Sequence, residues 1–285
     1  MNENAKRRER LVAFGVFVAL AALWQSLSLI YTGEAQPGEP MVAGWQVLFT
    51  RTLLSLSDYW QGGFGVPSVA DGAPRSYLAA ALSVIWHLLY TLARLAIGLV
   101  LGGGVGFLCG LAVSWSRWSR RLVELPLHFL RALPLLAMAP LFQLWFGATL
   151  LGQALFAAYG VGVLVFAGTV NAVRNVPQIY IDHARALGAS RRQVYRTVIL
   201  PAILPAMRSV ALLCLGAGWG AVLGAEYLGA QSGLGYVIVY AQQFAFLDRM
   251  FLISLVFILC TAASYWAAQR LFARWLVWAP ASARE

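Results

Sequence analysis

The sequence predicts an all-α integral membrane protein with about six transmembrane helices, and three observations carry that reading. First, 60% of its 285 residues are hydrophobic and only 11% are charged, with a mean hydropathy of +0.71. That is too little charge to clothe a soluble domain of this size. Second, apolar stretches of membrane length recur at Leu11–Tyr31, Leu82–Val113, Leu122–Trp145, Leu150–Val170, Met207–Leu228 and Met250–Leu271. A helix crosses a hydrocarbon core of roughly 30 Å with about 20 residues, and none of these stretches alternates as a barrel strand does. Third, the net charge of +10 is sorted along the chain. With the N-terminus cytoplasmic, Lys6, Arg7, Arg8, Arg10, Arg117, Arg120, Arg121, Arg174, Arg185, Arg191, Arg192, Arg196, Arg208, Arg270, Arg274 and Arg284 fall on the cytoplasmic side. The outer loops hold Arg51, Arg75 and Arg249 with the acids Glu34, Glu39, Asp58, Asp71 and Asp248. This is the positive-inside bias, consistent over every crossing, and it places both termini in the cytoplasm. It also accounts for the basic charge without a nucleic acid.

In chain order, residues 1–10 form a basic cytoplasmic tail and residues 11–31 the first span. That run is too long for a signal h-region and no small-residue cleavage site follows it, so it reads as an anchor. Residues 32–75 form an outer loop rich in Gly, Pro and acids. Its middle, Met41–Trp60, is apolar enough for an interfacial helix, with Tyr59 and Trp60 at headgroup level and a turn at Trp60-Gln61-Gly62-Gly63. Residues 76–278 form the main membrane core and 279–285 a cytoplasmic C-terminal tail.

Within the core, Gly98, Gly102, Gly106 and Gly110 recur every four residues in the second span. They make a stripe along one helix face, a groove that admits another backbone. Gly216, Gly220 and Gly224 repeat the device in the fifth span, so these two helices are expected to pack together. Pro134 and Pro140 interrupt the third span. Proline frees backbone groups, which are tolerated at membrane depth only against protein or water. The segment is expected to line an interior pathway, the alternative being an ordinary kinked helix. Arg94, Arg131 and Glu226 lie in or near apolar spans, where a charge costs roughly 2.5–3.5 kcal/mol on insertion scales. Each could contact a solute or serve a structural pairing.

The chain offers no chemistry of its own. Lys6 is its only lysine, so no G-x-x-x-x-G-K phosphate loop exists and any ATP hydrolysis belongs to another subunit. His87, His128 and His183 are far apart, and no paired metal-ligand spacing is present. Cys109, Cys214 and Cys260 read as small buried hydrophobes. No catalytic constellation and no bound cofactor is expected.

Residues 171–205 break the apolar series with a basic, punctuated insert. Tyr180–Leu187 suits a short amphipathic helix, with Gly188 as its stop. Ser190 and Gln193 have capping-box spacing. A second short helix is expected to run to Leu200, with Pro201 and Pro205 marking its exit, and Ala184 and Ala186 to let the first helix seat in a cleft. A rigid helix held at both ends can transmit a push.

This insert resembles the E-A-A-x3-G-x9-I-x-L-P loop of permease subunits in binding-protein-dependent ABC importers. Asp182 stands at the Glu position and His183 at the first Ala; Ala184, Gly188, Leu200 and Pro201 match, and Val198 replaces Ile. The likeness extends from about Ser76 to Trp278. Arg131-Ala132-Leu133-Pro134, Ala139-Pro140-Leu141, Leu144-Trp145-Phe146-Gly147, Ala225-Glu226 and Ser232-Gly233-Leu234-Gly235-Tyr236 are similar to the nitrate, sulfonate and taurine subgroup. The resemblance implies a type I importer permease in the bacterial inner membrane. Its coupling helix, with Asp182, His183, Ala184, Arg185, Leu187 and Gly188, would fit a groove on the ATPase subunit. It further implies two ATPase copies that bind ATP and Mg, a second permease copy, a periplasmic substrate-binding protein and a small anion as cargo. Residues 32–75 match poorly and could be where the binding protein meets this chain. The alternative is a stand-alone secondary transporter or channel, for which Glu226 is the one acid deep enough to couple an ion.

Overall fold

The computed structural model describes residues 3–275. The expected tail 279–285, Arg284 and the last residues of the 76–278 core lie outside the described residues, as do the side chains of Lys6, Arg10, Arg117 and His128. Among the described residues, five helices are long and apolar enough to cross a membrane: Leu11–Ile30, Tyr77–Trp115, Leu150–Arg174, Arg191–Tyr227 and Leu247–Trp275. The bent pair Arg120–Ala132 and Leu135–Phe146 makes a sixth if taken as one crossing. The third span is thus broken, and the break falls at Leu133-Pro134, where both residues are extended. We number the helices of four or more residues α1 (Glu3–Ile30), α2 (Tyr77–Trp115), α3 (Leu125–Ala132), α4 (Leu135–Phe146), α5 (Leu150–Arg174), α6 (Gln178–Ala186), α7 (Arg191–Val194), α8 (Leu200–Tyr227), α9 (Leu234–Gln243) and α10 (Leu247–Trp275).

The chain divides into two compact units, residues 1–87 with 237–256, and residues 88–236 with 257–285. In the first unit α1 is gripped near its C-terminal end by two tryptophans. Trp24 Nε1 donates to Ala43 O at 2.9 Å, Trp45 Nε1 donates to Ala21 O at 2.9 Å, and Trp24 stacks on Phe251 at 3.8 Å. A two-stranded hairpin, β1 (Glu34–Gln36) and β2 (Glu39–Pro40), follows α1. The apolar stretch expected at the interface is helical from residue 45 to 59, with a π turn at Leu48–Thr52. Charges tie this segment down: Asp58 takes Arg75 at 2.8 Å and Arg249 at 3.1 Å, and Thr52 Oγ1 donates to Asp248 at 2.6 Å. Burial pushes the Tyr59 phenol up to about 12.

The second unit is built around α5. Its Ala154, Ala157, Ala158 and Gly162 meet the glycine stripe of α2. A Cβ on Gly102 would lie 2.2 Å from Ala158 O, and one on Gly106 2.3 Å from Gly162 O. Gly98 faces Ala157 and Gly110 faces Thr169 in the same way. Two backbones touch where lipid supplies no hydrophobic drive, so close packing does the holding.

α2 and α8 do share a core, as expected, but not through two glycine stripes. The stripe of α2 belongs to α5. On α8, Gly216 and Gly220 have nothing within 4 Å of a Cβ, and Gly224 meets Leu136 of α4. α8 instead turns Gly218, Trp219, Val222 and Ala225 inward, with Gly218 against Leu95 and Leu99. Two residues are about 200° of helix rotation, so the stripe at Gly216 and Gly220 points away from the face that packs. Leu95, Ala139, Phe156, Ala157, Trp219 and Val222 form the core of this unit.

Pro201 and Pro205 do not mark the helix exit expected of them. The second short helix does not end at Leu200. α7 passes through a π turn, Tyr195–Ile199, directly into α8, which contains Pro201 and Pro205. Leu200 N–H closes the π turn on Tyr195 O, and Pro201, which has no N–H to give, follows it immediately.

Candidate functional site

The insert at residues 171–205 is a small, well-closed structure. α6 has no buried residue, and Leu187 just beyond it is 89% exposed. Its C-terminus closes through a Schellman arrangement: Gly188 N donates to Arg185 O at 2.9 Å and Ala189 N to Ala184 O at 3.0 Å. Gly188 has φ of 81°, a left-handed backbone that suits glycine. Ser190 then starts α7 in a capping box with Gln193: Ser190 N donates to Gln193 Oε1 at 2.8 Å and Gln193 N donates to Ser190 Oγ. Asp182 accepts from Gln178 at 3.0 Å, and His183 Nδ1 donates to Ile179 O at 2.8 Å. Both are solvent-facing, as are Arg185 and Ala186. Ala184 is not part of the outward surface. It packs, with Ile181, against a local core of Ala172, Val176, Val194, Ile199 and Ile203. Its small size seats the helix on its own insert, and Ala186 is the exposed small residue.

The insert is latched to the C-terminal end of α2. Tyr195 Oη donates to Leu111 O at 2.8 Å, and its ring meets Trp115 edge-on at 4.8 Å. The Arg191 guanidinium lies 5.2 Å over the Trp115 ring and donates to Trp115 O. Arg174, at the end of α5, pairs with Glu124. Leu200 and Pro201 open α8 below this latch. Sequence reasoning missed Trp115 and Tyr195, although an aromatic at each end of adjoining cytoplasmic segments was a usable signal.

Arg94 and Glu226 are brought together and closed off, 2% and 1% exposed. Arg94 Nη1 donates to Glu226 Oε1 at 2.8 Å and to Ser232 O at 3.0 Å, and Nη2 donates to Ser232 Oγ at 2.9 Å. Thr91 Oγ1 also donates to Glu226 Oε1, and Gly235 N donates to Oε2 at 2.7 Å. The turn at Ser232-Gly233-Leu234-Gly235 is therefore wrapped around the carboxylate. Gly233 has φ of 109°, and a Cβ there would lie 2.3 Å from Glu226 Oε1. Only Arg94 Nε of the pair lacks a partner among the described residues; so heavily bonded a pair sets a conformation, and its removal by halves is what costs stability. Arg131 and Pro134 are elsewhere: both are exposed, at the break between α3 and α4, and Arg131 lines a cleft with Leu135, Tyr159 and Gly160.

One residue had no role in the sequence reading. Gln153, in the first turn of α5, is 5% exposed, and neither amide atom has a hydrogen-bond partner among the described residues. A lone amide at the start of an apolar span was the signal available.

A helical membrane bundle that carries a short helix with an outward polar face, closed at its C-terminal end by a Schellman turn, and that has no nucleotide-binding loop in its sequence, is built as the membrane subunit of a transporter. Residues 98–277 match the family described as binding-protein-dependent transport system inner membrane component, and the chain belongs to that family. It is a permease subunit of an ABC importer for a small solute. It is 35% identical over 219 residues to the aliphatic sulfonates transport permease protein SsuC of Bacillus subtilis, covering 73% of this chain and 78% of the relative. It is 31% identical over 242 residues to the protein of that name from Escherichia coli, covering 85% and 89%. The riboflavin transport system permease protein RibX of Chloroflexus aurantiacus is 32% identical, with 79% and 88% covered. Among solved structures, an inward-facing MetNI methionine ABC transporter shares the fold, with a TM-score of 0.59 at 22% identity over 69% of this chain and 97% of that one.

Proposed function

We propose that this subunit forms the translocation pathway for a small anion such as a sulfonate, taurine or nitrate, delivered by a periplasmic binding protein. The relatives named for sulfonate transport support the cargo class. Two copies of the chain pair, and two ATPase subunits dock at Asp182–Gly188, binding the ATP and Mg that this chain does not. Both termini face the cytoplasm of a bacterial cell, by the charge bias. Closure of the ATPases moves α6 and switches the pathway between inward- and outward-facing states. In this reading Arg131 and Pro134 line the pathway, whereas Arg94 and Glu226 hold its shape. The single observation that carries the proposal is α6 itself: Asp182, His183, Arg185, Ala186 and Leu187 all face outward, and the turn that leads out of it is closed by the Gly188 bonds and the Ser190–Gln193 box.

A stand-alone transporter or channel is the weaker reading, because the deep acid Glu226 is already held by Arg94, Thr91 and Gly235. Affinity purification of the tagged chain in mild detergent, followed by reconstitution, tests the choice. The expected result is co-purification of an ATPase, ATP-dependent uptake by the complex, and no movement of solute by the chain alone. Uptake by the chain alone overturns the proposal.

A further inference from the structure

Gln153 stands in a site assembled from three helix ends: the C-terminus of α4, the N-terminus of α5 and the C-terminus of α8. They surround a cleft of about 10 Å³, room for one water-sized group, lined by Gln153 with Phe142, Gln143, Gly147, Phe156 and Ala225. No lining residue is charged. The walls are close-packed backbone. A Cβ on Gly152 would lie 2.4 Å from Gly147 O, and one on Gly229 2.6 Å from Gln143 Nε2. Gln153 projects into this enclosure nine-tenths buried, with Oε1 and Nε2 both unpartnered among the described residues. A buried amide without partners is a cost to folding that leucine at the same place would avoid.

The cleft is at the end of α5 remote from the docking insert, which on the proposed topology is the outer mouth. One wall is fixed: Ala225 adjoins Glu226, which Arg94 and the Ser232–Gly235 turn hold. The other wall is the α4–α5 turn, closed by Gly147 at φ of 73°.

We propose that Gln153 contacts the cargo when this mouth opens. Nε2 donates to an oxyanion oxygen, and Oε1 accepts from an N–H or O–H of the same solute. The cargo is then an organic oxyanion that also carries an amino or hydroxyl group, not a bare inorganic one. The assignment rests on the anion reading above and narrows it. An uncharged amide recognises such a solute without trapping it, which a conducting site requires. A solute without the donor would leave Oε1 buried and unmet, a penalty of about tenfold or more in binding.

The test uses the whole complex in proteoliposomes with four probes: 2-aminoethanesulfonate, 2-hydroxyethanesulfonate, ethanesulfonate and nitrate. The wild-type complex is expected to take up the first two with a KM about tenfold lower than that for ethanesulfonate. Gln153→Leu is expected to bring the three sulfonates within about twofold of one another while its melting temperature stays level or rises. Equal KM values in the wild type, or unchanged preference in Gln153→Leu, overturns the proposal. Uptake of none of the four rejects the anion reading and the cargo assignment with it. The contact itself is read separately. Gln153→Cys, with Cys109, Cys214 and Cys260 replaced by alanine, should react with a membrane-impermeant thiol reagent from the outer side. Reaction is expected only when a non-hydrolysable ATP analogue is bound; a thiol that never reacts overturns the placement at the mouth.

Discussion

Arg94 Nη1 donates to Glu226 Oε1 at 2.8 Å, and the turn at Gly233 passes so close to that carboxylate that no Cβ fits between them. The pair is thus a structural joint between α2, α8 and the turn before α9. Removing one charge leaves the other buried and uncompensated. Arg94→Ala or Glu226→Ala should each lower stability by about 3–5 kcal/mol, whereas a matched apolar pair, Arg94→Met with Glu226→Leu, should recover most of the loss. Thermal unfolding of the purified protein in detergent measures this. Single variants as stable as the wild type would return both residues to the list of pathway candidates.

The glycine stripes give a prediction in which two similar substitutions part company. Gly102→Ala puts a methyl group into the backbone of α5 and should destabilise by about 1–3 kcal/mol. Gly220→Ala enters open space in a helix and should be neutral or stabilising by up to about 1 kcal/mol. Folded yield and melting temperature of the two variants, side by side, decide it. A destabilised Gly220→Ala would mean that a second copy of the chain covers that face.

Docking can be separated from the integrity of the insert. Gly188→Pro cannot adopt φ of 81° and should abolish uptake while membrane insertion is kept. Ala184→Trp should do the same by forcing apart the local core around Val176 and Ile203. Ala186→Trp adds bulk to the exposed side alone, so it should leave the insert folded and reduce co-purification of the ATPase. Full transport in all three would remove α6 from the mechanism.

The latch at Trp115 makes a different claim, about transmission. Trp115→Ala removes the ring that Tyr195 and Arg191 both contact, and leaves the outer surface of α6 untouched. ATPase binding and hydrolysis should persist while solute moved per ATP falls several-fold. Tyr195→Phe, which removes only one hydrogen bond of about 1 kcal/mol, should show a smaller loss. Unchanged stoichiometry in Trp115→Ala would indicate that force enters the bundle by another route.

Much of the insert was legible in sequence because its determinants are local. Gly188 and the Ser190–Gln193 pair act within a few residues of themselves, so spacing alone announces them. The prolines misled for an equally local reason. Pro201 and Pro205 read as stops, but a π turn ahead of Pro201 lets the helix run on. The burial of Ala184 could not be read from its spacing, since which side of a short helix is inner depends on the segment that folds beneath it.

By itself, the sequence determined that this chain spans a membrane several times, that its basic residues are sorted along it, and that it carries an insert of short helices punctuated at Gly188 and Ser190 and no phosphate loop. Hydropathy, charge bias and capping are sums over neighbouring residues, and need no knowledge of the fold. Only the tertiary structure decided which helix meets the stripe of α2, that Arg94 and Glu226 neutralise each other, and that Gln153 is enclosed without a partner. Those facts rest on residues some 60 to 130 positions apart meeting in space. In lipid that choice follows from shape and complementary polar groups, because apolar surface is common to every candidate face.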